Sequence, residues 1–103
     1  MKIIKTLFQF ELAFKIVDEN DAPLKDAKIK ITNDGGDVVE DLTADALGEA
    51  KSSKEYDFAT KFPSVEVSKI GYTLTTDVTA GITVKESDNI FSYQMQIKSV
   101  SII

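Results

Sequence analysis

The sequence predicts an all-β protein, a single antiparallel sandwich of seven to eight strands, on three observations. Apolar residues recur at every second position along most of the chain, and helical spacing is scarce. Clusters of Asp, Asn, Gly and Pro break that alternation at the intervals expected of short strands joined by turns. At 103 residues the chain is long enough for one hydrophobic core and too short for two comfortable ones.

The elements follow in order. From Ile4 to Ile16 the even positions include Ile4, Phe8, Phe10, Leu12, Phe14 and Ile16, while Lys5, Gln9, Glu11 and Lys15 fall between them. A continuous strand over that span would be about 40 Å long at ~3.3 Å per residue, whereas sandwich strands run to about 5–6 residues. Leu12, Phe14 and Ile16 suffice for a first core strand. Residues 1–9 are therefore expected to form an N-terminal arm or additional strand, and residues 10–103 the sandwich domain. Ile4, Phe8 and Phe10 become candidates for contact with a partner. A turn at Asp18–Asp21 and a corner at Pro23 lead to a strand with Ala27, Ile29 and Ile31 inward and Lys28, Lys30 and Thr32 outward. Asn33-Asp34-Gly35-Gly36 supplies a tight reversal, Val38–Thr43 a strand, and Ala44–Gly48 a further turn. Residues 49–62 fit a strand, a loop or a short helical turn equally well, with Tyr56, Phe58 and Phe62 seeking burial. Val65 and Val67 share one face of the next strand. Leu74, Thr76 and Val78 share a face of the strand after it. Ile82–Lys85 is a short strand, and Phe91, Tyr93, Met95 and Ile97 define the last one.

Composition narrows the chemistry. Cysteine, histidine and tryptophan are absent, which removes thiolate and imidazole ligands and the commonest general base. The 12 basic residues are all lysine against 17 acidic ones, a net charge of −5. Without arginine there is no bidentate fork for phosphates or guanine edges, and an acidic protein gains little from counterion release, so nucleic acid is not an expected partner. Lys2 and Lys5 precede an apolar run, but Glu11 and Lys15 interrupt it and no small-residue cleavage site follows. This segment reads as mature structure rather than an export signal. No run approaches the ~20 apolar residues of a membrane span.

From about Phe14 to Ile97 the chain resembles the carboxypeptidase regulatory-like domains, within the wider prealbumin-like and collagen-adhesin B-type sandwiches, which are immunoglobulin-like in form. The residues behind the resemblance are Val17-Asp18, the turn Glu19-Asn20-Asp21, Pro23-Leu24, Asp26-Ala27 and the alternating Lys28–Ile31. Thr43-Ala44-Asp45-Ala46-Leu47-Gly48 matches a second turn of the family, and Val65–Tyr72 its strand ending in Gly-Tyr. Asn20-Asp21 and Asp26 stand where the family commonly has glycine, a substitution that the left-handed tolerance of Asn and Asp permits. The resemblance implies an immunoglobulin-like or prealbumin-like sandwich serving as a non-enzymatic module for spacing, adhesion or assembly. Some collagen-adhesin B-type relatives form a lysine-to-asparagine or lysine-to-aspartate isopeptide bond, and Lys15, Glu66 and Asn89 lie in comparable regions. Glu66 alternates with Val65 and Val67, however, so it should face away from the core and leave such a reaction without its acid.

The remaining candidates have plain structural explanations. The acidic stretch Asp34–Asp45 lacks the ligand series of a calcium loop and reads as solvated turns. The same carboxylates show no pairing that implies glycoside hydrolysis. Ser52, Ser53 and Ser99 have no histidine to activate them, and Gly35-Gly36 is followed by no phosphate-loop lysine. No catalytic, cofactor-binding or metal-ligating residue is assigned. The expectation is a non-enzymatic structural protein, an accessory or decoration subunit of an assembly such as a phage capsid or tail. Its partners are expected to be other protein subunits or copies of itself, with no nucleic acid, membrane, cofactor or small-molecule ligand. Location in a virion follows from that reading; the alternative is an adhesion or carbohydrate-binding module at a cell surface.

Overall fold

The computed structural model describes residues 9–98, in which nine strands and no helix are found. They are β1 (Gln9–Val17), β2 (Lys28–Thr32), β3 (Val38–Thr43), β4 (Glu49–Asp57), β5 (Lys61–Phe62), β6 (Ser64–Ser68), β7 (Tyr72–Leu74), β8 (Ile82–Thr83) and β9 (Ile90–Ile97). One sheet has the order β4-β1-β9-β7 and the other β3-β2-β6, with β5 and β8 forming a small third pair. The two larger sheets face each other as an all-β sandwich.

The alternation in the sequence explains the core. Leu12, Phe14 and Ile16 of β1 point inward with Tyr93 and Met95 of β9, and Ile29, Ile31, Val65 and Val67 come from the opposite sheet. Phe14 stacks on Phe91 and Tyr93, with ring centroids 5.7 and 6.4 Å away. Complete burial of a side chain such as Phe14 contributes about 2–3 kcal/mol, so these β1 residues anchor both neighbouring strands.

Several expectations are corrected. The described residues hold nine strands rather than seven to eight, because the two-residue β5 and β8 pair with each other. The sandwich is not wholly antiparallel: β1 runs parallel to β9, from Ala13 opposite Ile90 to Val17 opposite Gln94. Within residues 49–62, which the sequence leaves open between strand, loop and helical turn, Glu49–Asp57 form a nine-residue strand, because pairing with β1 decides where local preference is weak. The expected strand Leu74–Val78 lies earlier, at Tyr72–Leu74, and Ile97 ends β9 in an exposed position. Phe10 sits within β1 opposite Tyr56, half-buried against the core, so it belongs to the domain rather than to an arm. Ile4 and Phe8 lie outside the described residues.

Three turns are built alike. The side-chain Oδ1 of Asp18, Asn33 or Asp45 accepts from the backbone N–H two and four residues on, at 2.8–3.0 Å. In each, the first residue's N–H also donates to the carbonyl four residues on, and the fourth residue's N–H donates back to the first carbonyl. That fourth residue is left-handed in all three: Asp21 (φ 65°), Gly36 (φ 85°) and Gly48 (φ 73°). This is a type I turn closed by a left-handed bulge residue, with an Asx cap holding it. Asp26 also adopts a positive φ of 68°. The N–H groups of Glu49 and Leu47 hold the Asp45 carboxyl below the usual carboxylate range.

The equivalent glycines differ in their surroundings. A Cβ on Gly36 would meet nothing within 4 Å, whereas one on Gly48 would run into the Ile16 carbonyl and approach Leu24 N and Pro23 Cβ at 3.1 Å. Gly36→Ala should therefore cost only the left-handed penalty of about 1 kcal/mol, and Gly48→Ala well above about 2 kcal/mol. Urea unfolding of both variants checks this; equal losses would show that packing at Gly48 is irrelevant.

Candidate functional site

Two of the buried polar side chains, Glu40 and Ser52, sit where the two sheets meet along β3 and β4. Opposite Leu12, strand β4 carries three residues, Ser52, Ser53 and Lys54, between the pairs Glu11–Glu55 and Ala13–Lys51. This bulge leaves the Leu12 N–H without a ladder carbonyl, and Ser52 Oγ accepts it at 2.9 Å while donating to the Lys54 carbonyl at 2.7 Å. The bulge also turns Ser53 toward β3. There Glu40, only 3% exposed, accepts from the Ser53 N–H at 2.9 Å, from Ser53 Oγ at 2.9 Å and from the Tyr56 hydroxyl. Tyr56 is fixed in turn by an edge-on contact with Phe62, 5.1 Å between centroids. Glu40 thus fastens the edge of one sheet to the edge of the other.

The acidic stretch Asp34–Asp45 is accordingly not all solvated: Asp34, Asp37 and Asp41 are exposed, but Glu40 is core. The signal was its parity with Leu42, which places both on the inner face of β3. Among the described residues, no group of three or more acidic side chains converges so as to hold a metal ion. No helix among them is long and apolar enough to cross a membrane.

The three residues compared with an isopeptide site are not brought together. Lys15 Nζ, on the outer face of β1, donates to the Leu47 carbonyl at 2.8 Å and faces Glu49 at 3.6 Å. Glu66 is exposed on β6 and lines a shallow polar groove with Lys28, Lys30, Asp41 and Ser68. The buried Asn89 side chain accepts from the Lys85 N–H and donates to the Lys85 carbonyl, closing its own turn.

The other side of the sandwich is open. Between β6 and β7 lies a groove of about 460 Å³, lined by Val67, Tyr72, Leu74 and Met95 below and by Lys28, Lys69 and Lys98 at the rim, with Asp26 the one acid. Ile70, 99% exposed, caps the turn from β6 to β7, and Ile97 is 56% exposed opposite Tyr72. Sequence alternation did not reveal this groove, because it arises from strand order: β6 and β7 end their respective sheets and have no common neighbour among the described residues. The one signal was the pairing of Ile70 with a Gly-Tyr corner.

No family model matches the chain, and no curated protein matches it. Among solved structures the chain is similar to the Bacillus anthracis TIE protein, with a TM-score of 0.62 and 24% sequence identity. The alignment covers 88% of this chain and 16% of that one, so the chain spans about a sixth of the protein it matches. The likeness is one of fold.

Two predictions follow from the buried site. Glu40→Ala strands the Tyr56 hydroxyl and both Ser53 donors, and should cost about 2–4 kcal/mol, read as a lower urea midpoint. Glu40→Gln keeps the acceptor and shape and should cost less than half as much; equal losses would remove the hydrogen bonds as the cause. The second concerns alkali. Burial, then the hydrogen bond to Glu40, raises Tyr56 above the usual phenol value, and burial pushes Tyr93 up to about 12. The folded protein prefers both phenols neutral. Their contribution is full below the unfolded value of 10.0 and is lost as pH rises through the folded values. Urea midpoints should decline above about pH 10, and less steeply in Tyr93→Phe.

Proposed function

We propose that this chain is a non-enzymatic structural module, an accessory or decoration subunit that joins other protein subunits in a larger assembly such as a phage capsid or tail. The observation behind this is where the buried polar groups are spent. Glu40, Ser52 and Asn89, the buried polar side chains among the described residues, hydrogen-bond to backbone or across the sheets. What the surface offers instead is open strand edges beside exposed apolar side chains, the material of protein–protein contact. The fold likeness also supports a modular role, since it covers one segment of a far longer chain.

In this reading Ile4 and Phe8 supply an apolar contact to a neighbouring subunit, and Phe10 anchors that segment to β1. Location in a virus particle goes with it. The alternative is an extracellular adhesion or carbohydrate-binding module, and it has one foothold: Phe58, 47% exposed at the turn after β4. Tyr56 is buried and Tyr72 half-buried, which leaves Phe58 a lone ring rather than a stacking platform.

Deletion of residues 1–8 separates folding from assembly, because β1 begins at Gln9. The expected result is a melting temperature within about 4–8 °C of the intact chain, equivalent to ~1 kcal/mol. Association measured by sedimentation velocity should be lost. Loss of the fold along with association would make this segment an ordinary strand. A monomeric intact chain that binds on a glycan array, and loses binding in Phe58→Ala, would replace the structural reading with the adhesive one.

A further inference from the structure

We propose that the groove between β6 and β7 receives an extended acidic segment of a partner protein, which pairs with β7 as a fifth strand of the four-stranded sheet. The inference deepens the assembly reading by naming the chemistry of one partner, and it rests on residues other than Ile4 and Phe8.

The backbone is arranged for this. Thr75 N–H donates to the Gln94 carbonyl and Lys98 N–H to the Gly71 carbonyl, each at 2.9 Å, on either side of the Thr73–Gln96 pair. Antiparallel ladders alternate, so Thr73 exchanges its bonds with β9 while the Leu74 N–H and C=O turn toward the open side. A strand laid along β7 would take those groups. Its alternate side chains would enter the groove above Val67, Leu74 and Met95.

Charge selects the occupant. Three lysines and one aspartate line this groove on a chain whose net charge is −5. Lys69 Nζ is held over the rim by the Lys25 carbonyl at 2.8 Å. The N-terminal segment of another copy carries Lys2 and Lys5, the same sign again. A segment alternating apolar and acidic residues satisfies groove, edge and rim together.

The test is a titration of the intact, isotope-labelled chain, followed by amide chemical shifts, with two capped synthetic peptides. One alternates valine with aspartate and glutamate; the other has lysine at every acidic position. The acidic peptide should shift the amides of Val67–Ser68 and Tyr72–Thr75 saturably and bind about tenfold tighter than the lysine peptide at low salt. Lys98→Glu should reverse that preference. Leu74→Pro should abolish binding while the melting temperature holds, since its N–H lies outside the ladder. Should this variant not fold, Lys98→Glu alone decides the matter, being an exposed change. Equal binding of both peptides would make the lysines simple edge guards and overturn the proposal. So would shifts confined to other strands, or a dimer of the intact chain that Lys98→Glu alters. If the peptides fail while the intact chain still associates through residues 1–8, the groove assignment falls and the assembly reading stands.

Discussion

The structure depends on one buried carboxylate. Glu40 is the single buried charged side chain among the described residues, and it is surrounded by donors rather than by a counter-charge. Burial of an acid is unfavourable unless hydrogen bonds replace its water, and three donors from β4 do so here. Two of those donors, both from Ser53, are turned inward by the β4 bulge, where Ser52 Oγ takes over the abandoned Leu12 N–H. Register, bulge and inter-sheet contact are therefore one coupled feature. It fixes β3 against β4 at the edges of the two sheets.

The same feature makes the molecule asymmetric. Along β3 and β4 the sandwich is joined by directional bonds, and the bulged β4 edge presents no flat row of amides to another chain. Along β6 and β7 nothing comparable links the sheets among the described residues, and apolar side chains end at a groove with a lysine rim. Phe62 and Ile82 of the β5–β8 pair are both buried, and Phe62 meets Tyr56 of β4 edge-on.

Much of this was legible in the sequence, and for identifiable reasons. Leu12–Ile16, Ala27–Ile31 and Val65–Val67 each bury one face and expose the other, so period-two alternation located them. The turns at Asp18, Asn33 and Asp45 were legible because an Asx cap followed by a left-handed residue is a local, chemically specific arrangement. Asp21 carries it without glycine. Features created by pairing were not legible. Whether 49–57 is strand or helix depends on β1 lying alongside it, and the parallel β1–β9 pair depends on how many times the chain crosses the sandwich. Glu40 was hidden by composition: one buried acid among eight in residues 31–60 looks like its exposed neighbours. The groove was hidden more deeply, because its walls come from sheets that meet only in three dimensions.

These differences bear on where an interaction can be accommodated. A strand edge invites indiscriminate pairing when it is long, flat and apolar, and β7 is only three residues long with lysines on either side. A short edge gives few backbone bonds, so affinity there must come from side chains that fit the groove and charges that match its rim. A groove that is already formed lowers the ordering cost of binding. A sandwich pinned along one side and open along the other presents a fixed, selective edge.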